Sequence, residues 1–231
     1  MGHLNTKQLL PGTNTLRICK YFHSLAIDAY KRTEAAADRT PGQHHALSAV
    51  ILAVISLESF LGELEDYLRL CIPHYGKATE ARITMLVDIL RSIEEGRGQL
   101  GLKFQITKYI LTGEPYNVGG LPYQNFELLL LVRNGLIHPK SFKVNIAPQE
   151  PEIVDPAERF LKRMRGLNIL ADIPGDDVVA PISTWIETKA AARWACNTSA
   201  EMVHSLFQPD DKSPLIWNLN SIMAAEFVRI E

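Results

Sequence analysis

The chain has 231 residues, 46% of them hydrophobic and 22% charged, which is long enough for one domain to bury a core of its own. Its 24 Lys and Arg against 26 Asp and Glu leave a formal charge of −2, excluding a histone-like or non-specific nucleic-acid coat and leaving room only for a local cationic site. Cys19, Cys71 and Cys196 form no CxxC pair, so neither a disulfide framework nor a cysteine zinc site is written here, and a reducing, cytoplasmic location is expected.

The N-terminal stretch has no charged-then-apolar signal layout and contains Pro11 and Gly12, so no secretion is expected. Ile18, Phe22, Leu25, Ala26, Ala29 and Tyr30 recur at helical spacing and predict an amphipathic helix over 16–37, broken at Thr40-Pro41-Gly42. Over 43–71, Leu47, Val50, Val54, Leu57, Leu61, Leu64 and Leu68 alternate by three and four, a strict seven-residue repeat that predicts one complete packing seam. A second row, Ile51, Ile55, Glu58 and Gly62, runs beside it, so this helix is expected at the centre of the fold. Its most apolar run is about a dozen residues before Glu58 interrupts, short of the roughly 20 that cross a membrane. It reads as a buried helix, with no membrane expected.

Thr79 is placed to cap a helix over 79–95 whose inner stripe is Ile83, Leu86, Val87 and Leu90. After Gly96, Gly98 and Gly101 a shorter helix is expected over 102–112, then a loop over 113–122. A helix over about 122–137 opens with Pro122 in a tolerated position and ends near His138, because Pro139 disfavours helical geometry before it. Phe142, Val144 and Ile146 alternate with polar residues and predict a short extended segment near 141–148, within a proline-rich connection over 141–157. Further helices are expected at 156–171, 183–207 and 214–228. The fold class is all-α: a helical bundle over 1–140 and a C-terminal helical extension over 158–231 packed on it.

Phosphate-loop, dinucleotide, zinc-protease and nucleophile-elbow motifs do not occur. The adjacent His44 and His45 point about 100° apart on a helix and do not share one metal easily. No metal or cofactor is expected. What remains is Arg133-Asn134-Gly135-Leu136-Ile137-His138. Asn134 and His138 share a helix face, while Arg133 lies about 140° round from His138 with an arm long enough to reach the same mouth. Phe126, Leu130, Arg133 and Ile137 form one row, so an arginine interrupts an apolar stripe much as Glu58 interrupts the other. A buried charge needs a partner, and the two interruptions predict that these helices pack together with Glu58 beside Arg133. On spacing alone, an arginine and a histidine near a helix end are more often a dipole partner and a cap than a catalytic pair.

RNGLIH resembles the arginine-x4-6-histidine motif of the HEPN superfamily, and ALSAVILAVISLESFLGELEDYL resembles the long early helix of many of its members, including an acidic residue within an apolar run. The resemblance spans roughly 16–140. It implies a HEPN-like bundle and a metal-independent endoribonuclease, acting as a homodimer that joins two motif copies in one cleft. It also implies a toxin or defence component with an antitoxin protein as partner. In that reading His138 is general base or acid, Arg133 clamps the phosphate, Asn134 positions and Glu58 supports Arg133. RNA cleaved by its own 2′-hydroxyl needs these roles and no metal. Lys140 and Lys143, with Lys103 and Lys108, would line an RNA groove, and Tyr116, Tyr123 and Trp185 offer rings for stacking, though lysines on helices are commonly solvated and such aromatics commonly core. The alternative is a non-catalytic helical module that binds a nucleotide, an RNA or another protein.

Overall fold

The computed structural model describes residues 18–35, 44–71, 77–96, 98–138, 141–143, 162–171, 179–207, 215, 219–221 and 223–231. Within these the chain is mostly helical. Helices α1 (Ile18–Ala35), α2 (His45–Cys71), α3 (Lys77–Glu95), α4 (Leu100–Thr112) and α5 (Leu121–Ile137) start and stop within two residues of where the apolar periodicity puts them. The expected cap at Thr79 is corrected, because α3 already begins at Lys77 and Thr79 lies inside its first turn. Gly113 closes α4 at φ 79°, a left-handed conformation that glycine adopts without strain, and its N–H reaches Tyr109 O at 2.8 Å.

The seven-residue repeat of α2 is the seam the sequence implies: Val50, Val54, Leu57, Leu61, Leu64 and Leu68 are at most 2% exposed. The neighbouring row is different. Ile51 and Ile55 are half-buried and Glu58 and Gly62 exposed, so this row is the rim of the core rather than part of it. Among the described residues one helix, His45–Leu70, is long and apolar enough to cross a membrane, and half of its most apolar stretch is buried inside the protein. The dozen-residue count underestimated it by stopping at Glu58.

Strand β1 (Ser141–Lys143) pairs antiparallel with β2 (Val179–Pro181), Phe142 opposite Ala180. The extended segment read over 141–148 thus occupies three described positions, and the rest of it lies outside the described residues. β2 runs directly into α6 (Ile182–Ile186), and α7 (Lys189–Ser205) follows. One helix was expected over 183–207. It divides at Thr188, whose extended backbone and Oγ1, accepting from Ala191 N at 3.0 Å, start a new helix. The same hydroxyl donates to Ile169 O at 2.8 Å, just after the helical turn over 162–166 and Asn168, which adopts φ 52°.

α7 is rich in small residues. Ala191, Ala192, Ala195, Cys196, Ser199 and Ala200 are buried and let it lie closely against α1, α2 and α5. The C-terminal third, expected as an extension packed on the bundle, therefore contributes to both apolar clusters of the core. One cluster joins Leu57 to Leu68 of α2 with α3, Phe104, Phe126, Met202, Val203 and Phe227. The other joins Ala46 to Val54 of α2 with Ala26 and Tyr30, Leu128 and Val132, Trp185, and Ala191 to Cys196. The helix expected over 214–228 is not continuous: residues 219–221 are helical, Ala224–Glu226 is a 3-10 turn, and 227–231 have no regular secondary structure.

Candidate functional site

α5 carries Phe126, Leu128, Leu129 and Val132 into the core, and its opposite side faces solvent. Glu127, Leu131, Asn134 and His138 form its exposed row, and Arg133 stands at the boundary. Gly135 belongs to packing: a Cβ there would meet Ile182 Cγ2 at 3.3 Å, so its hydrogen lets α5 approach α6. The helix ends as Pro139 demands. His138 has φ −119° and ψ 73°, and its N–H closes the last turn on Asn134 O at 2.9 Å.

Glu58 and Arg133 meet. Arg133 Nη2 donates to Glu58 Oε1 at 2.8 Å and Arg133 Nη1 to Asn134 Oδ1 at 3.1 Å. The side chains of Arg133 and Glu58 are 27% and 42% exposed, so the pair lies on the rim and not in the core that an interrupted apolar stripe suggested. The two bonds hold the guanidinium plane, while Arg133 Nε is a buried donor with no hydrogen-bond partner. The imidazole of His138 is solvent-exposed at the same helix end, and exposed Leu131 and Ile137 flank the group. Ile137, read from the sequence as part of an apolar row, is 47% exposed, and Leu131, at 55%, was missed by sequence reasoning although its place on the outward side of α5 was visible in the helical count.

Two of the four lysines expected to line a groove are already engaged. Lys103 pairs with Glu94, and desolvation lowers its pKa against the pull of Glu65 and Glu58. Lys108 donates to Ser205 O at 2.6 Å and sits 5.4 Å from the Tyr116 ring centre, its pKa also lowered by desolvation. Both ammonium groups are engaged in holding α4 in place, which is why they are not free for phosphate. The backbone of Lys143 ends β1; its side chain and Lys140 lie outside what the structure describes.

No family model, curated protein or solved structure matches this chain.

The proposed stacking rings are packing groups. Tyr123 is 4% and Trp185 3% exposed. Tyr123 accepts a hydrogen bond from Gln105 Nε2 at 2.5 Å and faces Tyr116 at 5.2 Å between ring centres. Tyr116, half-buried and bonded to Ser205, has its phenol pushed up to about 12 by desolvation. His44 is also occupied, its Nδ1 lying 2.7 Å from Glu187 Oε2. A concavity of about 660 Å³ lies along the outer side of α3, lined by Lys77, Glu80, Met85 and Asp88 among others, with no residue of α5 in its wall. The chemistry therefore rests on a shallow, open group: a fixed guanidinium, an amide, a carboxylate and a solvent-facing imidazole. Such a set offers donors to a phosphate oxygen and an imidazole for proton transfer.

Proposed function

We propose that the chain is a HEPN-like, metal-independent endoribonuclease that cleaves RNA by attack of the 2′-hydroxyl on its own phosphate. The single observation that carries this is the guanidinium of Arg133, fixed by Glu58 and Asn134 at the end of the helix whose next turn presents His138 to solvent. Only two of the five guanidinium N–H groups are taken by those bonds, leaving donors for phosphate oxygens. His138 takes the 2′-hydroxyl proton or protonates the leaving 5′-oxygen, and Asn134 positions the arginine. One such group supplies a single imidazole, whereas the reaction uses a base and an acid, so two copies would meet across a homodimer with Leu131 and Ile137 at the seam. RNA is the substrate; an antitoxin-like protein covering this rim is part of the same proposal, as is a cytoplasmic location.

A non-catalytic module is the second reading, favoured by Arg133 already having two partners. Incubation with single-stranded RNA without metal separates the two. The nuclease reading expects fragments ending in 2′,3′-cyclic phosphate, intact DNA, and loss of cleavage in His138→Ala and Arg133→Met. RNA left whole by the folded wild-type dimer, with or without added metal, removes it.

A further inference from the structure

The final segment Phe227–Glu231 has no regular secondary structure and is not paired in a sheet. Its backbone is held by side chains of two helices. His204 Nε2 donates to Phe227 O at 2.8 Å and His23 Nε2 to Val228 O at 3.1 Å. Asn197 reads both polar groups of one residue: its Nδ2 donates to Ile230 O at 2.9 Å and its Oδ1 accepts from Ile230 N at 2.7 Å. Arg193 Nη1 donates to Glu231 O at 3.5 Å, and Glu201 pairs with Arg229 at 3.3 Å.

Arg193, Asn197, Glu201 and His204 are one stripe of α7, and they meet Glu231, Ile230, Arg229 and Phe227 in reverse order. The lengths agree: eleven helical steps rise about 16 Å, and four steps of non-helical chain reach up to about 13 Å. His23 of α1 supplies the contact to Val228, so each of the five residues is met by one groove side chain. The groove is itself built: His23 is 1% exposed, with Nδ1 3.2 Å from Ser199 Oγ. Phe227, 1% exposed, anchors one end against Phe60 at 5.6 Å and His23 at 4.6 Å between ring centres. Val228 is 59% exposed, so what is recognised is the backbone plus an aromatic first and a branched aliphatic fourth residue.

We infer that the α1–α7 groove is a peptide-binding site for a segment of the form aromatic-x-x-isoleucine, and that Phe227–Glu231 is its resident ligand. The segment opens and closes as a unit while the helices stay folded.

The test uses the full chain and a fluorescein-labelled peptide of residues 224–231. The tethered segment competes at millimolar effective concentration, so wild type binds the free peptide weakly. Phe227→Asp evicts the resident segment, and the peptide then binds at least tenfold more tightly than to wild type. Adding Asn197→Ala removes at least tenfold of that, and a scrambled peptide does not bind. A folded Phe227→Asp protein that ignores the peptide, or takes the scrambled one equally, overturns the inference. If that variant does not fold, hydrogen exchange on wild type decides. The Ile230 amide exchanging at least tenfold faster than the α7 amides supports a docked ligand, whereas exchange only together with α7 makes the segment ordinary core and ends the proposal.

Discussion

Glu58 and Arg133 offer a quantitative check on the reading of the rim. Their side chains are 42% and 27% exposed and share one 2.8 Å hydrogen bond. Breaking a desolvated ion pair in a core costs about 3–5 kcal/mol, whereas pairs in contact with water couple by about 0.2–1 kcal/mol. The geometry places this pair in the second class, near its upper end because the arginine is the more covered partner. A double-mutant cycle with Glu58→Gln and Arg133→Met, read from urea midpoints at constant slope, is therefore expected to give a coupling of about 0.5–1 kcal/mol. It should shrink in about 0.5 M salt, since exposed charges are screened on that scale. A coupling of about 3 kcal/mol or more that is indifferent to salt would refute the assignment of the pair to the rim. Because the stability effect is small, a large loss of RNA cleavage in the same variants would belong to the chemistry and not to unfolding.

Burial holds His23 below the usual histidine range, opposed by its bond to Val228 O. The unfolded chain takes up this proton more readily, so the contribution is complete above about pH 6.5 and is lost as pH falls through the lower folded value. Urea midpoints measured from pH 7.5 down to 5 should fall more steeply in wild type than in His23→Phe, and equal slopes would contradict the assignment. The Cys196 thiol is pushed up to about 12 by burial, so alkylation at about pH 8 should leave Cys196 unlabelled in the folded protein and label it in urea, as mass mapping would report. A Cβ at Gly135 would meet Ile182 Cγ2 at 3.3 Å, so Gly135→Val should cost about 1–3 kcal/mol through overpacking between α5 and α6, and a thermal midpoint equal to wild type would contradict that contact.

The apolar repeat of α2 was readable because a long helix must present one side to its neighbours, and Val50 to Leu68 do so. The meeting of Glu58 with Arg133 was readable for a related reason, since two charges interrupting apolar rows tend to share a cause. Their exposure was not, because helical spacing distinguishes sides of a helix but not the rim of a core from its centre. The partner of β1 was also hidden: β2 is 36 residues beyond its end, and no local pattern links Lys143 to Val179. The division between α6 and α7 depended on Thr188 finding Ile169 O, a contact supplied by a distant segment. The irregular course of 227–231 has the same origin, its hydrogen bonds being provided by Asn197, His204 and His23 rather than by its own neighbours.

α2 passes from one apolar cluster to the other between Val54 and Leu57, and α7 makes the same passage between Cys196 and Ala200. Two rods that each belong to both halves leave neither half free to melt alone, so the packed helices should lose their structure in one cooperative step. Glu58 lies one residue beyond the changeover on α2, and Arg133 one residue beyond Val132, a member of the second cluster. Whatever binds across those two side chains grips the molecule where its halves are joined, and its binding energy would be felt as resistance of the whole fold to denaturation.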